Sequence, residues 1–91
     1  MKKIYKYTLN IEDRQGLEMP TGAKILSAKN QGDNICLWAL VDTEEKMTMT
    51  YEIEIFSTGN PVYENDKTFR EFIDTCVMPN GLVWHLFKRI A

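Results

Sequence analysis

The segment Ile35-Cys36-Leu37-Trp38-Ala39-Leu40-Val41 constrains this chain more than any other. Seven consecutive apolar residues, entered from Asn30-Gln31-Gly32-Asp33-Asn34 and stopped by Asp42, leave no polar face. Such a run is expected to be covered on both sides, as the central strand of a compact β domain. With 91 residues, 44% of them hydrophobic, the chain has material for one small core and one domain over residues 1–91.

The remaining segments carry strand patterns punctuated by turns. Tyr5, Tyr7, Leu9 and Ile11 alternate with Lys6, Thr8 and Asn10. Glu12-Asp13-Arg14 reads as a turn, and Gln15 to Met19 as a short extended piece broken by Pro20-Thr21-Gly22. Ala23 to Asn30 forms a further strand, joined to the apolar run through a hairpin at Gln31-Gly32-Asp33-Asn34. Over Met47 to Phe56 the alternation is strictest. Met49, Tyr51, Ile53 and Ile55 face one way, and Thr48, Thr50, Glu52 and Glu54 form a solvated outer face.

Residues 67–77 admit two readings. Phe69, Phe72, Ile73, Cys76 and Val77 recur at helical spacing, and Thr68-Phe69-Arg70-Glu71 has the form of a capping box. Against one short helix there stands the hairpin turn Pro79-Asn80-Gly81, with strand formers on both sides, including Leu82 to Phe87. The favoured reading is a helical turn near Lys67 to Arg70 followed by a strand from about Glu71 to Met78. The fold class is therefore all-β: six to seven short strands in a small antiparallel β-sandwich or barrel.

Composition excludes several function classes. The net charge of −2 gives no global attraction to nucleic acid, although Lys2, Lys3 and Lys6 gather at one end and Lys88 and Arg89 at the other. Paired terminal strands would form one basic edge, and charged residues also serve simply to keep an edge strand soluble. No apolar run approaches the ~20 residues of a membrane span, and Met1 to Lys6 lacks the apolar core of a secretory signal. A cytoplasmic protein with Cys36 and Cys76 as buried, reduced thiols is expected.

Together Ile4-Tyr5-Lys6-Tyr7, Met19 through Ser27 and Cys36 through Asp42 resemble a family of short bacteriophage-encoded proteins of unknown function, also found in prophage-bearing bacterial genomes. Ser57-Thr58-Gly59-Asn60-Pro61 resembles that family's turn before proline, and Leu82 through Phe87 its closing aromatic strand. Asp74-Thr75 stands where a Gly-Thr step is expected. The resemblance implies an accessory protein of mobile elements, acting in the host cytoplasm, and brings no catalytic or ligand-binding residues with it.

Catalysis finds little to work with. His85 is the single histidine, on the face of Val83 and Phe87. It could serve as a general base beside the Cys76 thiol if the final hairpin pairs their strands. One histidine and two distant cysteines match no zinc spacing, and five glycines dispersed one to a turn form no phosphate loop. The chain is expected to be no enzyme and to hold no metal and no cofactor. Strand aromatics such as Tyr5, Tyr7, Trp38, Tyr51 and Trp84 could stack bases, but without a positive groove they are assigned to the core.

Protein binding is the function this pattern favours, with Lys6, Thr48, Thr50, Glu52, Glu54, Asn60 and His85 as the exposed polar residues that would carry it. The expected partner is a host or phage protein, an anti-defence role being included, and the chain is expected to pair as a homodimer. The alternative is a small-ligand or nucleotide-binding β domain, its aromatic pocket given a polar handle by His85 or a lysine. Cys36 and Trp38, read as core, are poor candidates for a functional site.

Overall fold

A computed structural model describes residues 1–90. It contains seven strands: β1 (Lys2–Leu9), β2 (Arg14–Pro20), β3 (Lys24–Gln31), β4 (Asn34–Asp42), β5 (Thr48–Ser57), β6 (Arg70–Val77) and β7 (Val83–Arg89). They form a three-stranded sheet ordered β1-β4-β3 and a four-stranded sheet ordered β2-β5-β7-β6. All five pairings are antiparallel, and neither sheet closes into a barrel. The result is a small β-sandwich, and the chain passes between its layers three times, after β1, β2 and β4.

The turns follow their residues. Gly32 (φ +60°) and Asp33 alone join β3 to β4, with the positive φ at the first position, where a two-residue hairpin accepts glycine. Gly81 (φ +87°) sits in the β6–β7 turn, as Pro79-Asn80-Gly81 predicts. Residues 67–77 contain no helix. The capping-box residues Thr68 and Phe69 precede strand β6, whose edges pair with β7 on one side and lie beside β3 on the other.

The inward faces of both sheets supply the core: Leu9, Met19, Ala28, Ile35, Leu37, Ala39, Val41, Tyr51, Ile53, Ile55, Cys76, Met78 and Leu86 are buried together. A side chain rather than a ladder joins the edge strands β3 and β6. The Asp74 carboxylate accepts the Ala28 N–H (3.2 Å) and the Lys29 ammonium (2.8 Å).

Two expectations are overturned and one open possibility is closed. Strand β4 is not covered on both faces: Ile35, Leu37, Ala39 and Val41 enter the core, while Cys36, Trp38 and Leu40 point to the outside of the three-stranded sheet. A two-layer fold has one interior, so only side chains of β1 and β3 screen that outer face. Cys36 is buried there beside Thr8 and Gln31, whereas Trp38 and Leu40 stay half-buried. The terminal strands do not pair either, because β1 borders β4 and β7 lies between β5 and β6. Finally, Glu54 is not solvated: it is the one charged residue of the buried set, because Arg70 and Arg89 converge on it.

Candidate functional site

The outer face of the four-stranded sheet carries a shallow, largely aromatic cleft. From β5, β7 and β6 it presents Phe56, Phe87 and Phe72, with ring centroids 5.8 Å (Phe56–Phe87) and 5.5 Å (Phe72–Phe87) apart in edge-to-face packing. Register places His85 opposite both Phe56 and Thr75, hence on this same face. The segment Thr58–Val62 borders an open cleft of about 250 Å³ lined by Phe56, Thr58, Asn60, Val62, Phe72, His85 and Phe87.

His85 is held at both nitrogens. Its Nε2 lies 2.8 Å from Thr58 Oγ1 and its Nδ1 3.1 Å from Thr75 Oγ1. Cys76, by contrast, is opposite Trp84 and points into the core, so the thiol and imidazole occupy opposite faces of the sheet. Burial, reinforced by the Asp74 charge, pushes the Cys76 thiol above its ordinary pKa and keeps it protonated. Pairing of β6 with β7 therefore does not bring base and nucleophile together, for a reason of strand parity: adjacent residues on a strand alternate faces.

Next to the cleft, Glu54 Oε1 accepts Arg70 Nε at 2.8 Å, while Arg89 Nη1 stands 3.6 Å from Oε2. Arg70 also donates to the Tyr63 carbonyl (3.0 Å), and its guanidinium lies 5.5 Å from the centroid of Phe56. This group fastens the connection between β5 and β6 to the sheet. Its charges are mutually engaged, so it shapes the cleft rather than serving it with a reactive group.

The seven residues expected to form a site are not brought to one place. Asn60 and His85 meet in the cleft, with Glu54 buried alongside. Thr48, Thr50 and Glu52 occupy the far end of β5, where Thr50 Oγ1 donates to Glu18 and Glu52 receives Arg14 Nε at 2.9 Å. Lys6 is on the opposite side of the molecule, donating to Gln31 Oε1 at 3.0 Å. Sequence reasoning missed Phe56, Phe72 and Phe87 as one surface, and Trp38 as a surface residue. Only the register of β5, β7 and β6 unites the first group, although the shared parity of His85 and Phe87 was a partial signal. Among the described residues no group of three or more His, Cys, Asp or Glu is placed to hold a metal ion.

Fold and surfaces define a class: a two-sheet all-β domain with an aromatic cleft on one outer face and a tryptophan-bearing, lysine-rich face on the other. The chain belongs to the family described as a domain of unknown function (DUF7352), whose model matches residues 1–91. No curated protein and no solved structure matches it. No helix among the described residues is long and apolar enough to cross a membrane.

Proposed function

We propose that this protein acts by binding another protein, without catalysis, as an accessory factor of phage or prophage origin that engages a host or phage component in the cytoplasm, an anti-defence role being one form of this. One observation supports binding above the rest. The outer face of the three-stranded sheet has no second layer, and it leaves Ile4 59% exposed beside half-buried Leu40 and Trp38. Uncovered apolar side chains with a polar rim are what interfaces between proteins are made of. The phage setting rests on the segment resemblance described above. Pairing with a second copy is supported by the exposed apolar side chains on and beside the edge strand β6, Phe69, Phe72, Val77 and Leu82.

A specific observation favours a second reading. The cleft of about 250 Å³ between Phe56, Phe72 and His85 suits a small ring-bearing ligand, with the His85–Thr58 pair as polar handle. Co-purification from host cells with the wild type and the Ile4→Asp variant separates the two. A stoichiometric protein that the variant loses supports protein binding. The small-ligand reading prevails if nothing co-purifies and a nucleotide raises the melting temperature by several degrees.

A further inference from the structure

The outer face of the three-stranded sheet is predominantly basic, with its acids gathered at the Asp42 end. The β1–β4 register puts Lys2, Ile4, Lys6 and Thr8 beside Asp42, Leu40, Trp38 and Cys36. From the other flank, β3 adds Lys24 beside Leu40, Ser27 beside Trp38 and Lys29 beside Cys36. Four lysines thus surround an apolar centre of Ile4, Trp38 and Leu40.

Little on the chain itself neutralises them. Lys29 is paired with Asp74 across the β3–β6 seam. Lys6 is held by the neutral Gln31, and among the described residues Lys2, Lys6 and Lys24 have no carboxylate within ion-pair distance. Asp42, the one acid in these rows, sits at their end, where the amino-terminal ammonium (3.5 Å) and the Glu44 N–H (3.0 Å) already engage it. Between Lys2 and Lys24 the surface dips into a hollow of about 340 Å³, with Leu40 among its lining residues.

We infer that this face docks an acidic protein segment, whose carboxylates meet Lys2, Lys6 and Lys24 while a bulky apolar side chain covers Trp38 and Leu40. The inference rests on the protein-binding reading above and names the partner's chemistry and the surface it uses. Charge complementarity selects the sign of the occupant. One feature selects protein over nucleic acid: Trp38 is the single aromatic ring in these rows, whereas single strands are held by successive stacking rings. A half-buried tryptophan inside a charged rim is also the composition of an interface hot spot.

The test is a fluorescence-anisotropy titration of the full chain with three labelled probes: a twelve-residue peptide alternating Glu and Leu, its Lys/Leu counterpart, and a twelve-nucleotide oligothymidylate. The Glu/Leu peptide is expected to bind, the Lys/Leu peptide not. Raising salt from 50 to 200 mM should weaken binding several-fold, and the Lys6→Glu/Lys24→Glu variant should weaken it at least tenfold, with circular dichroism unchanged. Equal affinity of wild type and variant, no binding of the Glu/Leu peptide, or tighter binding of the oligonucleotide overturns the inference. Co-purification with the same variant keeps the two readings apart. A partner retained by both proteins removes the acidic-segment inference and leaves protein binding standing, whereas no partner for either removes both.

Discussion

Glu54 stands on the face of β5 that sequence alternation assigns to solvent, yet it is buried with Arg70 at 2.8 Å and Arg89 at 3.6 Å. Removing one partner of such a group leaves the other charges uncompensated. Glu54→Gln is expected to destabilise the fold by about 2 kcal/mol, read from urea denaturation, because Arg70 keeps the Tyr63 carbonyl but loses its buried counterion, the exposed Glu64 standing 4.0 Å away. Asp74 makes a prediction about pH. Burial pushes its carboxyl upward, but hydrogen bonds from Lys29, the Thr75 N–H and the Ala28 N–H outweigh this and hold it below the usual carboxylate range. A folded pKa below the unfolded one stabilises the fold above the unfolded value, about 3.9, and that contribution disappears as pH falls through the folded value. Asp74→Asn should therefore cost about 1–2 kcal/mol near pH 6. The gap in melting temperature between variant and wild type should shrink as pH falls below about 4. Neither residue's role was legible in the sequence. Arg70 and Arg89 come from β6 and β7, and Ala28 and Lys29 from β3, so partners far along the chain decide both environments.

The elements themselves were far more legible than their partners. Strict alternation locates β5, and the hairpin at Gly32–Asp33 fixes the junction of β3 with β4. The run in β4 announces a central strand, but seven apolar residues carry no mark of which face enters the core. Pairing with β1 and β3 decides it, so the run alone does not mark Trp38 as facing outward. For the candidate site the same limit applies: alternation grouped His85 with Phe87, while Phe56 and Phe72 joined them only through register. Strand β2 holds a close approach of its own. A Cβ on Gly16 would stand 2.7 Å from Thr50 Cγ2 on the neighbouring strand. Gly16→Ala is expected to destabilise by about 1 kcal/mol, because the cross-strand methyl must move. Thr50→Ser, which deletes that methyl and keeps the hydroxyl bonded to Glu18, should recover most of the loss in the double variant, a coupling that a thermal-melt cycle measures.

Across the whole molecule, stability is expected to be uneven. Leu37 in β4, Ile53 in β5 and Leu86 in β7 are fully buried on strands paired on both sides, whereas β1 is an outer strand with exposed Lys2, Lys3 and Lys6. Native-state hydrogen exchange should find the slowest amides at those three positions and faster exchange along β1, and equal protection throughout would contradict this picture. The strand order has a consequence for biosynthesis as well. β7, the last of the seven strands in chain order, sits inside the four-stranded sheet between β5 and β6 rather than at its rim. A ribosome-bound chain that has not yet emitted Val83–Arg89 cannot join β6 to β5. Until that strand has emerged, the core-facing Ile53, Ile55 and Cys76 lack their β7 neighbours, and closure depends on pairings as distant as Lys2 with Asp42 and Pro20 with Thr48. Such non-local closure belongs to the slow end of small-domain folding, on the order of milliseconds to seconds, so the nascent chain is open to chaperones until its final strand is inserted.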